Sequence, residues 1–309
     1  KKAYLSKIGL ATIKLGKGDK SGIADIQEIV KDFWEKDSEV LYRAGVALTL
    51  FEKASNPDLA ISFIEKAIER ERKEVPTYYY YTLGDAYRLK LSTSPQVAGS
   101  AMTAYDKALP SAKNKASVFT RMGTLWMAAQ QWEKAKESLD KALLSDASYA
   151  PAYKALTGYN FRFQRNEEAT KNLVNYAKYA DEDPNTQLEI SKLFFLNDDY
   201  ANARMTLDKV FDKVEDPIKY KLKAFLQYAD AKYPEALSSL NMFMSKADKD
   251  KILPSDKGLS GLITAGLAKS ETDEAKKKMM MTEAMQKVAI AKAAKDETMD
   301  WDMELAKIK

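Results

Sequence analysis

Neither histidine nor cysteine occurs anywhere in the 309 residues. Their absence removes imidazole and thiol nucleophiles, the Ser-His pairing of hydrolases, ordinary zinc sites and iron–sulfur clusters. Any catalysis would have to come from carboxylates, lysine or tyrosine. Without cysteine there are no disulfides, and so no indication of redox compartment. Proline (nine) and glycine (twelve) are scarce, too few for the turns of an all-β protein of this length. Arginine is scarce too: it supplies eight of the 49 basic residues. Arg is the side chain that reads phosphates and base edges bidentately, so nucleic acid is not an expected partner. No apolar run approaches the length of a membrane span, and neither a GxGxxG nor a Walker loop is present.

What is present points to a folded helical protein. Apolar residues make up 45% and charged residues 30%, and the net charge of +4 is a small difference between large numbers. The length fits one large domain or two ordinary ones.

A repeat runs through the chain. Tyr80 is followed by Leu83, Gly84 and Tyr87, and the same spacing recurs as Phe119, Met122, Gly123 and Trp126. Each block precedes a second triplet, Ala101, Tyr105, Ala108 and then Ala135, Leu139, Ala142. Downstream, Ala135, Ala169 and Ala203 lie 34 residues apart, as do Leu139, Leu173 and Leu207; Ala236 and Leu240 follow 33 later. Upstream, Gly45, Gly84 and Gly123 are 39 apart, and Ala60, Ile64, Ala67 repeat the second triplet. The extra residues fall beside Ser55-Asn56-Pro57 and Ser92-Thr93-Ser94-Pro95, which read as longer turns. Pro76, Pro184 and Pro217 stand where new helices should begin. One such hairpin cannot bury its apolar face alone, so neighbours must stack.

The aromatic-x-x-Leu-Gly-x-x-aromatic block and the 34-residue period resemble the tetratricopeptide repeat (TPR) family over roughly residues 38–250. Thr157, Ser191 and Ala224 replace the first-helix Gly later on, and Gln187 replaces an aromatic. The resemblance implies an all-α, right-handed superhelical solenoid of antiparallel helix pairs, about seven to eight hairpins with a C-terminal capping helix. Residues 1–37 read as a degenerate N-terminal hairpin, 38–250 as TPR-like repeats, and 251–309 as a divergent last hairpin and cap, all in one continuous solenoid.

Members of this family bind peptides along the concave face of their first helices. Carried over, that face comprises Tyr42, Tyr78, Tyr81, Asp85, Arg88, Thr120, Thr124, Lys154, Phe161, Lys192, Phe195, Lys221, Phe225 and Tyr228. Rings supply contact area and cations supply charge-assisted hydrogen bonds, so the expected ligand is a peptide or partner protein with apolar and acidic groups. The alternative for any of these rings is ordinary packing between helices. In the run Tyr78-Tyr79-Tyr80-Tyr81 the rings point in different directions, with Tyr80 expected in the core and at least one other exposed or in the groove. The Lys/Asn pair by which some relatives grip a C-terminal carboxylate is missing.

Met279-Met280-Met281 and Met285 form either a repacking surface or plain gap-filling, and Lys276-Lys277-Lys278 either an anion contact or a solvated face. Asp181-Glu182-Asp183 and Asn197-Asp198-Asp199 lack calcium-loop spacing and read as helix caps. No catalytic constellation, metal or cofactor is expected. The reading is a non-catalytic protein-binding scaffold. The alternative is a structural subunit of a larger, envelope-associated assembly, or one that forms homo-oligomers through its terminal hairpins. The chain starts at Lys1 rather than Met, so removal of an N-terminal segment is expected. Likeness to exported bacterial repeat proteins favours a periplasmic location over a cytoplasmic one.

Overall fold

The computed structural model describes residues 2–33, 37–296 and 298–308. Among them are seventeen α-helices and no strand. Two compact units, Lys1–Tyr179 and Ala180–Lys309, divide the chain.

The first unit stacks five helix pairs: α1 (Lys2–Gly16) with α2 (Ser21–Lys31), α3 (Ser38–Ala47) with α4 (Pro57–Arg70), α5 (Thr77–Lys90) with α6 (Ala98–Ala108), α7 (Lys115–Ala128) with α8 (Trp132–Ser145), and α9 (Ala150–Arg162) with α10 (Asn166–Tyr179). The second holds three pairs, α11 (Pro184–Leu196) with α12 (Tyr200–Val210), α13 (Ile218–Ala229) with α14 (Tyr233–Lys246), and α15 (Pro254–Lys269) with α16 (Glu274–Ala293), closed by α17 (Trp301–Ile308). Each unit is a solenoid of helix hairpins, and the eight pairs with a closing helix match the number the period implies.

The repeated small and large residues explain the pairing. Ala135, Ala169, Ala203 and Ala236 are wholly buried, and Leu139, Leu173, Leu207 and Leu240 are essentially so. Gly84 and Gly123 let the paired helix approach. A methyl group added at Gly84 would lie 2.4 Å from the Tyr105 ring, and one at Gly123 would lie 2.7 Å from Leu139. Where Gly is replaced, the substitutes are buried too, and Ser191 turns the contact into a hydrogen bond, its hydroxyl donating to the Ala203 carbonyl at 2.6 Å.

The first helices α7, α9, α11 and α13 end in the same turn. Gln130, Gln164, Asp198 and Ala231 have positive φ, between 54° and 58°. The amide one residue further on reaches back to the last turn in every case, as in Gln131 N to Trp126 O at 2.8 Å and Arg165 N to Asn160 O at 3.0 Å. This is the left-handed helix stop usually made by glycine, here made without one. Helix starts follow the acidic residues: Asp183 accepts from the Asn185 and Thr186 amides, and Asp199 from Asn202. The clusters around them are caps, as their position before a helix implies.

Candidate functional site

In the first unit, α5, α7 and α9 present one face to an open groove of about 690 Å³. It gathers Asp85, Arg88, Thr120, Thr124 and Lys154 from the expected set, with Leu50, Leu89, Met127, Ala155 and Gly158 as its apolar floor. Three cations line it, because Arg121 joins Arg88 and Lys154. Sequence reasoning passed over Arg121, which lies one residue from Thr120 and is identified as part of the site by its partners.

Arg121 is held rigidly. Its Nε donates to Asp85 at 3.0 Å, its Nη1 donates to the Ser117 carbonyl and hydroxyl, and its guanidinium lies 4.9 Å from the centre of the Tyr81 ring. Asp85 also accepts from the Tyr105 hydroxyl at 2.8 Å. Burial, reinforced by the Asp85 charge, pushes that hydroxyl's pKa well above the ordinary tyrosine value. Tyr105 therefore stays neutral and serves as a fixed donor beneath the groove. The Asp85 charge is thus spent on internal partners. Arg88 makes no ion pair among the described residues, so its charge is available at the groove wall. Thr124 donates to the Arg121 carbonyl, while the buried Thr120 hydroxyl has no partner among the described residues.

In the tyrosine run it is Tyr80 that departs from expectation. Tyr79, at 2% exposure, is the core ring, and Tyr80 is only half-buried. The reason is Tyr42, whose own ring is buried on α3 and stacks flat on Tyr79 at 4.3 Å, with its hydroxyl 3.2 Å from that of Thr82. Tyr42 is accordingly a core residue. Tyr78, 41% exposed, packs its edge on Tyr79, and Tyr81 is half-buried under Arg121. Lys154 lies 6.0 Å from the Tyr176 ring, and Phe161 is half-buried on α9.

In the second unit the expected residues separate by depth. Phe225 is 4% exposed and packs against the half-buried Phe195. Lys221 forms a 2.6 Å ion pair with Asp256, a wholly buried residue whose other oxygen accepts from the Leu253 amide at the start of α15. A lysine so engaged joins α13 to α15 and is not open to a ligand. Lys192 is half-buried on α11. Tyr228 donates to Glu304 of α17 at 2.9 Å, which ties the closing helix to α13. Among the described residues no three carboxylates gather as a metal ion would need, and no helix is long and apolar enough to cross a membrane.

No family model and no curated protein matches the sequence. Solved structures do match. One is the C-terminal part of a TPR repeat-containing protein from Cytophaga hutchinsonii, 17% identical, covering 87% of this chain and 97% of that one with a TM-score of 0.54. Others are a tetratricopeptide repeat protein from Parabacteroides merdae, 14% identical over 92% of this chain and all of that one (TM-score 0.46), and a thermophilic TPR protein of Thermus thermophilus, 16% identical over 62% and 99% (TM-score 0.48). At such identities the likeness speaks for the fold alone, and the Cytophaga structure carries it. With the buried 34-residue register and the paired helices, it establishes that this chain has the tetratricopeptide-repeat fold.

Proposed function

We propose that the chain is a non-catalytic scaffold whose first-unit groove holds a segment of a partner protein carrying acidic and apolar groups. The observation that carries this is the groove itself: an apolar floor beside Arg88 and Lys154, with Arg121 pre-oriented by Asp85 and Ser117. A carboxylate arriving there meets Arg88 without having to displace an internal partner, which keeps the cost of binding low. A helical-repeat scaffold presenting such a face suits protein binding, and nothing in the groove pairs a nucleophile with a base.

The test is affinity capture from native extract with wild type and an Arg88→Glu/Lys154→Glu double variant, the helical content of both being checked by circular dichroism. A partner held by the wild type and lost by the folded variant supports the reading. Equal capture by both sinks it.

A further inference from the structure

The second unit contains a cleft of a different character, about 810 Å³ in volume, between α11, α13 and the closing helix α17. Five rings line it: Phe195, Tyr200, Phe225, Tyr228 and Tyr233. Phe195 stacks on Tyr200 at 5.5 Å and leans on Phe225 at 5.4 Å, while Tyr228 and Tyr233 are 6.1 Å apart. Around them stand the carboxylates of Asp198, Asp300 and Glu304.

Two observations set these rings and carboxylates apart from the rest of the protein. Elsewhere, rings regularly carry a cation over their face: Lys134 on Trp126, Arg162 on Trp132, Arg121 on Tyr81, Lys223 on Phe211, Lys246 on Tyr220. Among the described residues no Lys or Arg lies over any of the five cleft rings, although the chain is rich in lysine. The carboxylates are short of cations as well. Lys307 pairs with Glu304, but Asp198 and Asp300 have no ion pair among the described residues. Their hydrogen bonds come from the Tyr200 hydroxyl and the Met303 amide respectively, and neither donor neutralises the charge. Tyr200 feels this: burial, then the Asp198 charge, raises its pKa above the ordinary value. Ring faces and carboxylates together form the environment that stabilises a desolvated ammonium or guanidinium.

We infer that this cleft is a second binding site, for a lysine- or arginine-bearing apolar peptide segment. Its charge preference is opposite to that of the first-unit groove and rests on none of the same residues.

The probe is a fluorescein-labelled, C-terminally amidated decapeptide of alternating Leu and Lys, with a Leu/Glu peptide as its counterpart, followed by fluorescence anisotropy on the full chain. The variant is Asp198→Asn/Asp300→Asn. Asn tolerates the left-handed backbone of position 198 and can accept the Met303 amide at position 300, so charge is removed while both local roles are kept. The Leu/Lys peptide should bind the wild type and bind this variant roughly tenfold more weakly, with a shallower salt dependence. Tyr200→Leu should weaken it about twofold to fivefold. A control neutralising three exposed carboxylates elsewhere, Glu133→Gln/Glu167→Gln/Glu168→Gln, should bind as wild type does. Unchanged binding by the Asn variant, an equal loss in the control, a matching loss of Leu/Glu peptide binding in the Asn variant, or no binding of the Leu/Lys peptide by the wild type would each overturn the inference.

Discussion

At Tyr79 the surroundings of a single hydroxyl set a pH limit. Burial pushes its pKa up to about 12, so the folded chain holds this proton where an unfolded one releases it near the ordinary tyrosine value. The stability contributed by the neutral hydroxyl is complete below about pH 10 and is lost as pH rises through that value toward 12. Thermal melts between pH 9 and pH 12 should show a falling midpoint, and Tyr79→Phe should flatten the part of the fall that this residue causes. The four left-handed stops make a second residue-scale case. Gln130 and Gln164 hold a conformation that costs a side-chain-bearing residue energy and glycine very little. Gln130→Gly and Gln164→Gly should each raise unfolding free energy by about 0.5–1 kcal/mol in urea titrations, and a loss of stability would show that the turns are not strained.

The contacts between helices depend on single atoms. At Gly84 the α5–α6 pair closes over the Tyr105 ring, leaving no room for a methyl group. Gly84→Ala should cost about 1–3 kcal/mol, read from the urea midpoint at an unchanged slope. Lys221 shows how an element contact can pass for a binding residue. It falls at a groove position of its repeat, yet its ammonium is committed to buried Asp256. Lys221→Ala should therefore destabilise the chain by about 3–5 kcal/mol, the scale of an uncompensated buried charge. Capture of a partner by whatever fraction stays folded should be unaffected. The register of these pairs was legible in the sequence because small and large core residues recur at 34. The fate of Tyr42, Phe225 and Lys221 was not, since their helix faces are the same as those of groove residues. What buries them is the neighbouring element: Tyr79 on α5, Phe195 on α11 and the start of α15.

At the scale of the whole molecule, repeat architecture confines perturbation. Contacts run chiefly between a helix, its pair and the next pair, so stability is a sum of local terms. Trp301 is a suitable probe. It is 4% exposed, fits against Gly258, and its indole donates to the Asp296 carbonyl at 2.7 Å. Trp301→Ala should remove about 3 kcal/mol and lower hydrogen-exchange protection in α15, α16 and α17. Protection in α3 to α8 should stay at the wild-type level. A uniform loss along the chain would show long-range cooperativity that the local contacts do not predict.

The period, the helical class, the pairing of helices and the use of acidic residues as caps followed from the amino-acid order, because each depends on neighbours within one or two repeats. The basic first-unit groove was partly legible as well: Asp85, Arg88, Thr120, Thr124 and Lys154 share repeat positions and do meet. Of the aromatic–acidic cleft, the rings of Phe195, Phe225 and Tyr228 were among the expected groove residues, but its acidic side was not legible. It forms because α17, outside the period, folds against α13 and α15 and brings Asp300 and Glu304 within reach of rings about 70 to 110 residues earlier in the chain. No repeat spacing encodes that return; it is fixed by Trp301, Leu305 and Ile308, which can be buried only against the last hairpin.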